Sequence, residues 1–333
     1  MSWSKYGDVK TLAPTFEFSV ASALAGVPLL VVAPPSGGKT TVIFACERFL
    51  QEHGENIRRV SRIGLRGLKA LADWLRISGQ ATLLNEDYAL LGSSSHMLEK
   101  MGEIVGSLSY SGSYQDDGLK VDVRMVRLGF VSGVQPLWIK TMMTHPVFAT
   151  HVREKFIRFY ELPYTPCKSV LMLEAIEQLN KVATVHDPNI RIKIPSEFVR
   201  ALSIQVGSER AVEYAPRLCR ELSRLIPYDK VHNALKFYAE RLVFERDFVE
   251  RELGSDSYEV ATKWQGYHTL YWTLRKGRVT REQLMDYLGV TSMRSVERSV
   301  ENALRYGWVT SEWNSNQKMF IPSESIKKRV ALP

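Results

Sequence analysis

The 333-residue sequence has no apolar run long enough to span a bilayer, which excludes an ordinary transmembrane helix. Asp8 and Glu17 interrupt the first twenty residues, so no basic-then-apolar leader pattern is read there, and a cytoplasmic location without membrane partners is expected. Cysteine is scarce: Cys46, Cys167 and Cys219 lie far apart in no metal-ligand spacing, which leaves buried thiols in a reducing compartment. Low-complexity tracts and internal repeats are absent, which sets solenoids and propellers aside. What is present is ordinary for a globular chain, with 45% hydrophobic and 24% charged residues, in a length that exceeds one hydrophobic core. Two or three domains are therefore expected. Lys and Arg number 44 against 36 Asp and Glu, and the resulting charge of +8 suits a polyanionic partner.

Apolar periodicity predicts a helix over 16–24, a turn at Gly26 and a buried strand over 27–32. A helix over 39–52, a strand over 57–63, a helix over 64–77, a buried strand over 81–85 and a helix over 96–108 follow. Beyond a polar, glycine-containing stretch come strands over 123–131 and 155–162. Strands alternating with helices argue a parallel α/β sheet. From residue 163 the character changes: 168–253 reads as helical, with a break over 185–194 and a cap at Ser196, and the remainder as helices followed by a hairpin.

The segment A-P-P-S-G-G-K-T at 33–40 stands between a buried strand and a helix. It matches the P-loop pattern except that Ala33 holds the position of the first glycine. Pro34, Pro35, Ser36, Gly37 and Gly38 would form a loop whose backbone N–H groups face phosphate, with the helix N-terminus behind it. Lys39 would reach the terminal phosphates, the Thr40 hydroxyl would take Mg²⁺, and Thr41 lies beside it, which makes ATP and Mg²⁺ the expected ligands. Hydrolysis also needs carboxylates at a neighbouring strand end, and L-L-N-E-D at 83–87 supplies Glu86 and Asp87. The register stays open. If Asn85 takes the metal side, Glu86 is the base; if Glu86 does, the base is Asp87. The strand ending V-S-G-V-Q-P at 131–136 would set a polar group between the first and third strands, Gln135 first and Ser132 second.

The order of P-loop, acidic strand, polar strand end and helical segment resembles the AAA+ ATPases. The resemblance implies a parallel-sheet P-loop NTPase core over 1–165, an all-helical lid over 166–255, and self-assembly into a ring or filament, foremost a hexamer. It implies a lid arginine at the nucleotide, Arg210 in V-G-S-E-R at 206–210 or else Arg217. It also implies a trans-acting arginine finger before the fifth strand, Arg153 in T-H-V-R-E-K-F at 150–156, with Arg158 second.

In the last part, helices over 264–276, 280–291 (capped by Thr280) and 292–306 precede a hairpin of 308–313 and 318–321. This order over 256–333 is similar to winged-helix domains. That resemblance implies Thr291, Ser292, Arg294, Ser295 and Arg298 at the DNA major groove and Lys318 on the wing, although winged helices also hold protein partners. Tyr110, Tyr114 and Lys120 would either reach nucleic acid in a ring pore or belong to a surface hairpin. The whole layout resembles archaeal replication initiators, minichromosome-maintenance helicases and some viral and plasmid ATPases. It implies an ATPase acting on DNA in replication, packaging or transposition. The alternatives are a protein-remodelling ATPase and a non-hydrolysing scaffold, and the intact Lys39, Thr40 and acidic pair argue against the second.

Overall fold

The computed structural model describes residues 2–92, 95–118, 121–144, 154–161, 172–186, 192–254, 256–288, 290, 292–314, 316–330 and 332. A 3-10 segment, Ser2–Val9, leads into α1 (Ala13–Leu24), which has Pro in its first turn, where the missing N–H has no intrahelical partner anyway. All twelve residues of α1 are buried, as expected of a helix apolar on most sides. Next come β1 (Pro28–Val32), α2 (Lys39–Glu52), β2 (Ile57–Arg59), α3 (Leu65–Arg76), β3 (Gln80–Asn85), α4 (Tyr88–Leu91) and α5 (Ser95–Tyr110). A small hairpin of β4 (Tyr114–Asp116) and β5 (Val121–Val123) precedes β6 (Arg127–Val134), α6 (Pro136–Thr144) and β7 (Ile157–Tyr160).

Five of these strands form one parallel sheet in the order β2-β3-β6-β1-β7. The apolar run of β1 is buried along its whole length, because helices cover both faces of a parallel sheet. All five carboxyl ends lie on one edge, and the 33–40 loop leaves β1 there. The core is α/β, as the alternation predicts.

Three expected elements are corrected. The strand expected over 123–131 is β6, displaced to Arg127–Val134, because Val123 pairs with Tyr114 in the hairpin instead. The strand expected over 57–63 stops at Arg59, after which Val60 and Ile63 make single contacts with Leu84 and Leu91. Ser196 is not a cap: Pro195 holds the N-cap position of the next helix, and the Ser196 hydroxyl turns to Glu197.

The helical segment consists of α7 (Met172–Val182), α8 (Ser196–Val206), α9 (Ser208–Leu225) and α10 (Tyr228–Phe244), the last running into a π-helical turn at Glu245–Val249. Helix α7 packs on α2 and the 3-10 segment, and α9 packs on α1 and α8. The final segment holds α11 (Ser257–Lys276), α12 (Arg281–Leu288), α13 (Met293–Arg305), the hairpin of β8 (Val309–Asn314) and β9 (Gln317–Pro322), and α14 (Glu324–Arg329). Thr280 does cap α12, and its reciprocal hydrogen bonds with Gln283 make a capping box. Val279 bridges Phe320 on β9, and both join a small core with Leu284, Val296 and Val300. The main core runs on across residues 165 and 255, from Tyr6 through Trp264 to Val330. No helix among the described residues is long and apolar enough to cross a membrane.

Candidate functional site

The 33–40 loop folds as a tight turn in which Gly37 N–H donates to the Pro34 carbonyl at 3.0 Å. A Cβ on Gly37 would lie 2.8 Å from the Ala33 methyl, and Gly38 takes the left-handed conformation with φ 89°. Thus Ala33 is accommodated because position 37 has no side chain. Gly38 is the N-cap of α2, no side chain caps that helix, and its first turn carries no acidic residue. The positive end of the helix dipole is therefore left for an anion.

Lys39 is buried, with Nζ donating to the carbonyls of Ala33 at 2.7 Å and Pro34 at 3.0 Å. Desolvation pulls its pKa down to about 8, against the opposing charge of Asp87. Thr40 and Thr41 follow on the first turn of α2, half-buried.

Across the sheet edge, β6 separates β1 from β3, so the ends of β3 and β6 face the loop side by side. Asn85 is buried, donates to Val60 O at 2.7 Å and accepts the Ser132 hydroxyl at 2.7 Å, so this strand-end pair bonds internally. Glu86 is exposed, and no hydrogen bond or ion pair engages its carboxylate among the described residues. Asp87 caps α4 by accepting Ala89 N–H at 3.1 Å. Burial raises its pKa, while the Ala89 N–H and Lys39 oppose that shift. Gln135 is exposed just past β6 and lines a cleft with Pro34, Pro35, Leu137 and, from α11, Val260.

The arginines divide differently. Arg210 opens α9 but does not reach the loop: it donates to Gly106 O at 3.1 Å and stacks on the Tyr110 ring at 4.5 Å. Arg217 donates to Ser109 O at 2.9 Å, and the Ser109 hydroxyl holds Leu128 O at the start of β6. Both guanidiniums therefore cap the negative carboxyl end of α5, at the opposite sheet edge from the loop. This corrects the placing of Arg210, and of Arg217 after it, beside the nucleotide. Arg158 is buried within β7 and ion-paired with Glu250, which commits it to the core. Arg153 lies outside the described residues, as do Thr291, Lys120 and Cys167.

Among the other C-terminal residues, Ser292 is the N-cap of α13, and Arg294, Ser295 and Arg298 are all exposed on that helix. Lys318 is half-buried with Nζ 6.0 Å from the Phe320 ring, and it pairs across the hairpin with the exposed Trp313. Tyr110 lies under Arg210 and Tyr114 bonds to Asp116 in the hairpin, so both are already engaged.

One neighbour of the loop has no mark in the sequence. Glu161 follows β7 directly, its N–H donates to Val32 O and its carbonyl accepts the Trp264 indole N–H at 2.8 Å. Its buried carboxyl takes the Thr15 hydroxyl, Oε1 has no hydrogen-bond partner among the described residues, and burial pushes its pKa up to about 8. These contacts join residues more than a hundred positions apart, which no local pattern announces. No protein-family model matches this chain, and the curated proteins contain no significant match to it.

Proposed function

We propose that the chain is a Mg²⁺-dependent ATPase of the AAA+ kind that acts on DNA. The observation that carries this reading is the 33–40 loop itself: a buried, desolvated Lys39 at the uncapped start of α2, with a carboxylate strand end facing it across β6. The glycine cradle and the uncapped helix suit a phosphate group. The Thr40 hydroxyl and the Glu86 and Asp87 carboxylates are hard oxygen donors, and a magnesium ion takes one or two such groups beside phosphate oxygens and water. When bound, that ion would neutralise charge on the phosphates.

The residues then divide the work. Lys39 holds the terminal phosphates and stabilises charge developing on the transferred group. Glu86, exposed and unbonded among the described residues, accepts the proton of the attacking water, whereas Asp87 is tied to the α4 cap and balances Lys39. Gln135 orients water at the strand end. The finger falls to Arg153 of a neighbouring subunit in a ring or filament. The C-terminal segment serves as a winged helix whose exposed Ser292, Arg294, Ser295 and Arg298 meet DNA, with Lys318 on the wing.

The test is ATP turnover with and without single- and double-stranded DNA. Wild-type protein should hydrolyse ATP faster with DNA, and Lys39→Ala should do so neither with nor without it. Wild-type turnover in a folded Lys39→Ala protein would remove the ATPase assignment. The exposed Trp313, at 73%, and Met293, at 36%, favour one second reading, a remodelling ATPase that grips a protein client through the same segment. Stimulation by a protein and not by DNA would select it.

A further inference from the structure

Between Glu55 and Asp73 the chain carries five cations and no anion: Arg58, Arg59, Arg62, Arg66 and Lys69. Strand β2 is the edge of the sheet, paired on one side only among the described strands. Arg59 lies over the Phe44 ring and pairs with Glu47 at 3.3 Å, which leaves four. Those four are exposed, and none forms an ion pair among the described residues.

All four belong to one stretch of chain, from β2 through the connection into the first half of α3. Helix α3 buries Leu68, Leu71, Ala72 and Leu75, so Arg66 and Lys69 share its outer side at i, i+3 spacing. Arg62 stands just before the helix. Arg58 on β2 stacks over Trp74 at 5.8 Å, which brings it beside the later turns of α3. Gly64 is the N-cap of α3, with no side-chain cap and no acid in the first turn, so the helix dipole adds to the same field. An α-helix of twelve residues is about 18 Å long, the rise of roughly five nucleotides on one strand.

We propose that this strip, Arg58, Arg62, Arg66 and Lys69, is a second nucleic-acid surface that grips the phosphate backbone independently of the C-terminal segment. It rests on the reading of the chain as acting on DNA. Three of the four cations are arginine, whose planar fork fits phosphate in a bidentate manner, and the Trp74 ring beneath Arg58 restricts its guanidinium. Contacts of this kind position a strand without reading its sequence. The strip lies outside the hydrolytic machinery proposed above, so it would hold the strand while the C-terminal helix engages it elsewhere.

The experiment compares full-length wild type with two variants, Arg62→Ala/Arg66→Ala/Lys69→Ala and Arg294→Ala/Arg298→Ala. Fluorescent oligonucleotides, single-stranded and duplex, are titrated at several salt concentrations. Each lost contact lowers the slope of log K against log salt by roughly 0.9 on duplex and 0.7 on a single strand, so the strip variant should lose about 2 to 3 units. Affinity should fall alike for unrelated sequences, basal ATP turnover should stay at the wild-type level, and Arg62→Lys/Arg66→Lys should restore most of the slope. A strip variant with the wild-type slope, beside a wild type that binds, overturns this inference and leaves the DNA reading standing. A wild type that binds neither oligonucleotide removes both. Loss of affinity for anionic phospholipid vesicles with oligonucleotide binding unchanged also overturns it, in favour of a membrane surface.

Discussion

Burial holds the Lys39 pKa near 8 before any anion arrives, so the cation that the proposed site needs is present below that pH and lost above it. A bound phosphate favours the charged form and raises the pKa, so above about pH 8 nucleotide binding must take up a proton. The dissociation constant for Mg-ATP should be flat to about pH 7.5 and then rise by up to tenfold per unit of pH. Fluorescent-nucleotide titrations across that range measure it. Asp87 opposes the shift, and Asn caps a helix about as well as Asp. Asp87→Asn should therefore keep α4 capped yet move the break to lower pH. A break at the wild-type pH in that variant would mean that the two side chains do not interact. Turnover should separate the carboxylates as well: Glu86→Gln should lose about 10²–10⁴ in rate, the usual contribution of a general base, and Asp87→Asn less. The reverse order would exchange their roles.

At the scale of elements, β6 sets the site by lying between β1 and β3, and Gly133 near its end is what lets it do so. A Cβ there would lie 2.3 Å from the Glu86 carbonyl, a backbone atom that has no rotamer to escape into. Gly133→Ala should cost about 1–3 kcal/mol of stability, as overpacking does, and should displace Glu86. Turnover should then fall further than nucleotide affinity; equal losses would point to a loop collapse instead. The start of β6 also marks where sequence reading fails. V-D-V at 121–123 and the later run have similar alternation, and only the pairing of Val123 with Tyr114 assigns the first to a hairpin. By contrast α2 is legible to the residue, since glycines before it and apolar spacing within it are local signals. The same division holds at the site. Lys39 and the acidic pair lie in short motifs, whereas only the resemblance singles out Arg210, from its place near the start of a helix. Which α5 carbonyl it meets depends on packing between residues 104 positions apart.

For the whole molecule, Glu161 is where the parts meet: through it β1, α1, β7 and α11 touch a single residue. Its carboxyl is buried, and the nearby Arg241 guanidinium is shared with Glu245 and the Tyr160 carbonyl, so desolvation prevails and the pKa rises from 4.5 to about 8. Between those values the folded chain keeps a proton that the unfolded chain has released. Folding stability contributed by Glu161 is thus present at low pH and lost as pH rises towards 8, by up to about 1.4 kcal/mol per unit. Buried His268, held down to about 3, works in the opposite direction, but only below its unfolded value of 6.5. Lys39, lowered to about 8, begins to add stability only above that value. The window from about pH 6.5 to 8 therefore isolates the carboxyls, with Glu245, also raised to about 8 by burial, contributing in the same sense. Denaturant unfolding in this window should show stability falling with pH in the wild type and falling less steeply in Glu161→Gln, which keeps the shape and an acceptor for Thr15. The stability difference should therefore shift steadily in the variant's favour as pH rises to about 8, since the variant has no proton to lose. An identical slope in both proteins would mean that Glu161 is ionised in the fold, with water or a cation reaching it. The junction between the sheet edge and the C-terminal segment would then be wetter than its packing implies, and the two parts would be freer to separate than a dry contact through Trp264 allows.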